Sequence, residues 1–158
     1  MDVSIWSKVA KNIGDELATF DSKNADEYQK RREEYQKNLN DLHTYALMVF
    51  PTIPEKQRVL VTAHDAFSYL GRAYGIEVRG IQGISTESEA GTKDINDLVT
   101  YLVDNKIPAI FVESSVSEKS VKTVIEGAAE KGHTVKIGGE LFSDAMGPAG
   151  TYQGTYIG

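Results

Sequence analysis

The chain of 158 residues contains no cysteine. That removes disulfide frameworks, thiolate zinc sites and cysteine nucleophiles, and leaves the redox compartment open. Any metal must then be held by histidine and carboxylate, and only three histidines are present. Proline is scarce at four residues, and no tract is of low complexity, so collagen-like, disordered and linker classes are excluded. Positive charge is in deficit, with 17 Lys and Arg against 23 Asp and Glu and a formal charge of −6. No basic stripe with interleaved aromatics is available to neutralise phosphates, which argues against nucleic acid. No apolar run approaches the roughly 20 residues that span a bilayer, and no basic-then-apolar signal peptide is visible. What remains is 41% hydrophobic and 25% charged, enough to bury one core of about one domain.

Along the chain, Trp6, Val9, Ala10, Ile13, Leu17 and Phe20 recur at the 3–4 residue spacing of one apolar helical face. After the turn cluster Asp21 to Asn24, Tyr28, Tyr35, Leu39, Leu42, Ala46 and Val49 keep the same spacing until Pro51 and Pro54 end it. This second helix reads as one stripe packed on its own domain, with Lys30 to Glu34 a solvated face; too few heptads support a coiled-coil partner surface. From Arg58 the texture becomes βα alternation, which implies a parallel sheet flanked by helices. Strands are expected at Val59 to Ala63, Ile76 to Ile81, Ile107 to Val112 and Thr134 to Ile137. Between them lie helices on Phe67, Leu70 and Tyr74, closed by Gly75; on Ile95, Leu98, Val99, Leu102 and Val103, capped by Thr92; and on Val121, Val124, Ile125 and Ala128, stopped by Gly132. Ser115 and Glu118 have the spacing of a capping box. Gly83 to Gly91 reads as a loop, in which Glu87 and Glu89 beside Ser85, Thr86 and Ser88 form a solvated stretch or a supporting polar network.

Open α/β sheets bind ligands at the carboxyl ends of their strands. Three ionisable residues are expected at that edge: His64 after Val-Leu-Val-Thr-Ala, Glu113 after Ala-Ile-Phe-Val, and Asp144 shortly after Val-Lys-Ile-Gly-Gly. One imidazole with one or two carboxylates forms a partial site for zinc, manganese or ferrous iron. The structural alternatives are a His64 bonded to backbone, an Asp144 that merely forms a turn, and a Glu113 held by the helix start at Ser114-Ser115, the last being preferred for Glu113. His43 reads as a surface or packing residue, and His133 as a turn residue on the opposite edge. No nucleophile elbow, Walker loop or dinucleotide fingerprint is present.

Read together, Thr-Ala-His-Asp-Ala-Phe (62–67), Arg-Ala-Tyr-Gly-Ile-Glu-Val (72–78), Gly-Ile-Ser-Thr-Glu-Ser-Glu-Ala (83–90), Ile-Phe-Val-Glu-Ser-Ser (110–115) and Gly-Gly-Glu-Leu-Phe-Ser-Asp-Ala-Met-Gly (138–147) resemble one family. It is the metal-binding solute-binding proteins of ABC importers for manganese, zinc and iron, the lipoprotein adhesin-like and zinc-uptake-like group. Linked motifs in one order are far more specific than any single one. The resemblance covers essentially the whole chain and the second half of the family's usual length.

It implies a two-lobed α/β protein with one long linking helix, and a metal clamped by two histidines of the first lobe and a His or Glu plus an Asp of the second. The second-lobe pair maps onto His64 and Asp144; Glu113, which the mapping does not assign, is kept as a candidate supporting residue. The family's His-x-Trp-x-Asp motif survives only as Asp2. On this mapping residues 1–20 are the linking helix and 21–158 the metal-binding lobe, and the final helix of the family is missing. The helical pattern that starts beside Met1 and the strand-like Thr155 to Gly158 also suggest a piece of a longer chain. The implied function is capture of manganese or zinc, less readily iron, without catalysis, for delivery to an ABC permease. The parent is expected to be periplasmic or lipid-anchored at the cell surface. Two ligands of four imply weak binding, which should weaken further below about pH 6.5, where an ordinary imidazole protonates. Exposed Trp6, Val9 and Ile13 would favour a homodimer. The rival readings are a metal-dependent hydrolase or lyase using Glu113 as general base, and a helical interaction module without metal.

Overall fold

Residues 1–84 and 90–158 are described in a computed structural model of the chain. Helix α1 (Val3–Phe20) starts on Asp2, whose Oδ1 accepts the N–H groups of Ser4 at 3.0 Å and Ile5 at 3.2 Å. Helix α2 (Ala25–Val49) returns antiparallel and stops before Pro51. The single stripe expected on α1 is split in two. Val3, Trp6 and Ala10 face the interior, whereas Ile5, Val9, Ile13 and Leu17 are 37–52% exposed and Phe20 is 91% exposed. The cause is Gly14, over which the aliphatic stem of Arg32 lies so closely that a Cβ there would stand 2.8 Å from Arg32 Cγ. That glycine turns the Val3–Trp6–Ala10–Gly14 line, not the Ile5–Leu17 line, toward α2. Two sequence expectations need correction here. Trp6 is not exposed: its indole N–H donates to Tyr35 Oη at 3.1 Å and its ring stacks on Tyr156 with centroids 5.0 Å apart. Arg32 is not part of a solvated face, since it pairs with Asp15 across the helix interface.

The remaining elements are β1 (Val59–His64), α3 (Ser68–Tyr74), β2 (Glu77–Gln82), α4 (Thr92–Asp104), β3 (Ala109–Glu113), α5 (Lys119–Glu130) and β4 (Lys136–Leu141). The four strands form one parallel sheet in the order β2-β1-β3-β4. This is the α/β fold expected, a parallel sheet flanked by helices. Right-handed crossovers explain the layers, because the step from β1 to β2 runs one way across the sheet and the later steps run the other. Helix α3 therefore covers one face with α1 and α2, and α4 and α5 cover the opposite face. Val61, Ala63, Ile110 and Val112 point to the α4/α5 side, where they meet Leu102, Val121 and Val124. The second cluster joins Val3, Leu39, Ala46 and Tyr74 under α1 and α2.

Several boundaries differ from the sequence reading. β3 and β4 begin two residues late, because Lys106 has a left-handed φ of 53° and Pro108 carries no N–H for the ladder. Ile107 and Val135 are buried all the same, so periodicity registered burial and not pairing. Thr92 is the first helical residue instead of the cap; Gly91 stands there, with Asp94 accepting its N–H at 3.2 Å. Helix α5 starts at Lys119 without a Ser115–Glu118 capping box. Among the described residues, Thr155 to Gly158 pairs with no strand. Among the described residues, no helix is long and apolar enough to cross a membrane.

Candidate metal centre

The strand order reverses between β1 and β3, so their carboxyl ends diverge into helices on opposite faces and leave a crevice. His64 is the last residue of β1 and Glu113 the last of β3. The pairing of Thr62 with Phe111 brings these two ends level, and Glu113 is itself level with Leu141 at the end of β4. Asp144 follows three residues later in the bend after β4. Residues 49 and 31 positions apart in sequence thus reach one rim because parallel strands present all their carboxyl ends together.

His64 is 2% exposed and sits between two carboxylates. Its Nδ1 lies 2.8 Å from Glu113 Oε2, and its backbone N–H donates to Glu113 Oε1 at 2.9 Å. Its Nε2 lies 3.3 Å from Asp144 Oδ2. The backbone is held from below, since the buried Thr62 hydroxyl donates to the His64 carbonyl at 2.8 Å. Glu113 is fully buried at its side chain, whereas the Asp144 side chain is 52% exposed. Asp144 is steadied by Ser115, whose hydroxyl donates to Oδ2 at 3.2 Å, and Ser143 Oγ stands 3.3 Å from Ser115 Oγ. The arrangement is a sealed imidazole with one nitrogen closed off by Glu113 and the other turned to a solvent-facing carboxylate. Among the described residues, no group of three or more His, Asp or Glu side chains is placed to hold an ion. The donor pair available is His64 Nε2 with Asp144.

The preferred reading of Glu113 is overturned, because its carboxylate is taken up by His64 and not by the helix start at Ser114-Ser115. His43 and His133 stand elsewhere, with His43 Nδ1 3.0 Å from Tyr74 Oη and His133 Nε2 2.7 Å from the Ile107 carbonyl. The stretch with Glu87 and Glu89 lies outside the described residues. Ser115 was missed as a site residue; its S-x-x-E spacing pointed to a cap, and only the proximity of the β3 and β4 ends shows it beside Asp144. Beyond Asp144 opens an apolar groove of about 770 Å³ between Tyr45, Val49, Leu70, Met146 and Ile157.

Residues 1–158 match the family described as ZnuA, zinc-uptake complex component A, periplasmic. The chain belongs to this family. It is 49% identical over 156 residues to the manganese-binding lipoprotein MntA of Bacillus subtilis, covering 99% of this chain and 51% of that one. It is 46% identical to the zinc-binding protein TroA of Treponema pallidum, again over 99% and 51%. The solved TroA structure superposes with a TM-score of 0.95 over 99% of this chain and 56% of that chain. A third relative, the manganese ABC transporter substrate-binding lipoprotein PsaA of Streptococcus pneumoniae, is 35% identical over 93% of this chain and 46% of its own. The chain thus spans about half the length of the curated ZnuA-family relatives it matches. Those relatives are named as binding proteins, not as enzymes.

Proposed function

We propose that this chain is the second lobe of an extracytoplasmic divalent-metal-binding protein that delivers manganese or zinc, with iron the third choice, to an ABC permease. Residues 1–20 serve as the helix linking two lobes and 21–158 as the metal-binding lobe. The whole protein is periplasmic or lipid-anchored at the cell surface, as the names of the relatives suggest. His64 and Asp144 are the metal ligands contributed by this lobe.

One observation carries the reading: the 3.3 Å between His64 Nε2 and Asp144 Oδ2. Two donors each about 2.0–2.2 Å from one tetrahedral ion stand about 3.3–3.6 Å apart, whereas a charge-assisted N–H···O bond closes to about 2.7–2.9 Å. The pair is already spaced for an ion. Zinc and manganese suit one nitrogen and one oxygen donor, and this pair does not choose between them. Two donors leave the other positions to water, a first lobe or a second copy, so this chain alone holds metal weakly. Binding is favoured over turnover because Glu113, the general base of the hydrolase reading, is sealed from any substrate by His64.

Calorimetric titration with Mn²⁺ and Zn²⁺ tests this, on the wild type, His64→Ala and Asp144→Ala, with ester and phosphate hydrolysis followed in parallel. The expected result is heat in the wild type that both substitutions abolish, without turnover. Metal-dependent hydrolysis would favour the hydrolase reading. Absence of heat in the wild type, or heat unchanged by both substitutions, refutes the assignment.

A further inference from the structure

We propose that Glu113 is a positioning residue that fixes the tautomer of His64, keeping the ring proton on Nδ1 so that the lone pair of Nε2 faces Asp144. The inference about affinity rests on His64 being a ligand; the inference about the tautomer does not.

Both side chains are sealed from solvent, His64 at 2% and Glu113 at 0% exposure. Glu113 Oε1 is already engaged by the His64 backbone N–H at 2.9 Å. That leaves Oε2, which lies 2.8 Å from Nδ1. The approach is bent from the ideal hydrogen-bond direction, but neither atom has any other partner among the described residues. Two buried lone pairs at this separation repel, and a buried polar atom without a partner costs about 1–3 kcal/mol, so a proton must lie between them. A carboxylate that accepts one N–H on Oε1 is arranged to accept a second on Oε2, which puts that proton on the ring. The neutral imidazole carries one N–H, so Nε2 keeps its lone pair, open at the solvent-facing rim to a cation shared with Asp144 and not hydrogen-bonded to that carboxylate. A carboxylate on the far nitrogen also raises the basicity of the donating one.

The isosteric substitution Glu113→Gln inverts the donor and acceptor facing Nδ1. An amide has one acceptor oxygen. If that oxygen stays on the His64 backbone N–H, the NH₂ group faces Nδ1 and donates to it. The ring proton must then move to Nε2, where it points at Asp144 Oδ2 and blocks the lone pair. Shape and volume are retained while the tautomer inverts.

The test is long-range ¹H–¹⁵N correlation spectroscopy of the His64 ring at pH 8 in metal-free protein, on the wild type and Glu113→Gln, followed by Zn²⁺ titration of both. The wild type is expected as the Nδ1–H tautomer and the variant as the Nε2–H tautomer, with zinc affinity falling about 10–100-fold. A wild-type ring protonated on Nε2, or on both nitrogens, overturns the proposal, and that measurement stands even if the variant fails to fold. A folded variant that keeps the wild-type tautomer also overturns it. If the tautomer inverts while neither Glu113→Gln nor His64→Ala changes zinc binding, the positioning role stands and the metal assignment falls. If His64→Ala abolishes binding while Glu113→Gln changes neither tautomer nor affinity, only the positioning role falls.

Discussion

Asp2 shows how one side chain anchors both the first helix and its pH response. Burial pushes its carboxyl up, but the Ser4 hydroxyl and the N–H groups of Ile5 and Ser4 outweigh this and hold it below the ordinary value of 3.8. A depressed folded-state carboxyl adds stability above its unfolded value, and that stability is lost as pH falls through the folded one. Asp2→Ala should therefore lower unfolding free energy by about 1 kcal/mol at pH 7, with the gap to wild type closing as pH falls below the ordinary carboxyl value of 3.8, as urea melts would show. Tyr156 behaves oppositely. Burial first, then Tyr74, Tyr35 and Asp2, push its phenol up to about 12, so its stabilising neutral form persists through physiological pH. At the candidate site, Ser115→Ala removes one exposed hydrogen bond to Asp144, and a zinc titration should show about a twofold loss of affinity. An unchanged affinity would mean that Asp144 is held by its own bend. His64, Glu113 and Asp144 were legible in the sequence as strand-end residues because parallel topology decides where such ends go. The partner of Glu113 was not, since a carboxylate before a Ser-Ser turn satisfies helix-start chemistry equally well in one dimension.

Helix α2 carries the second core through Leu39, which has no exposed surface and packs beneath α1. Leu39→Ala should cost about 2–5 kcal/mol in equilibrium unfolding, whereas truncation of exposed Leu47 should cost little. A comparable loss at both positions would contradict the assignment of inner and outer faces. Helix α3 ends at Gly75 with φ of 68°, as its sequence position indicates. Helix existence and order were readable throughout, because 3.6-residue periodicity reports burial directly. Strand starts and caps were less so. Apolar Ile107 and Val135 are buried without belonging to a strand, and Gly91 rather than Thr92 meets the geometry of the cap. On α1 the pattern contained two apolar faces, and only the close approach at Gly14 decides which one packs.

On the scale of the whole molecule, the described residues leave open the Ile5–Val9–Ile13–Leu17 stripe of α1 and the groove that runs from Asp144 to Ile157. Val9 and Ile13 of that stripe are the exposed residues on which the sequence expectation of a homodimer still rests, Trp6 being covered. Sedimentation should show a concentration-dependent dimer that Ile13→Glu dissociates without loss of helicity; a monomer at all concentrations would remove the dimer from the account. Metal capture is proposed at the rim of the sheet, where β1, β3 and β4 end together. Its most direct measurement is a crystal of the zinc-loaded chain with an anomalous difference map collected at the zinc edge. Metal capture at this rim requires a peak between His64 Nε2 and Asp144 Oδ2, about 2.0–2.2 Å from each, with Glu113 still on Nδ1. A peak elsewhere, or zinc bound with the His64 ring turned away from Asp144, would contradict it.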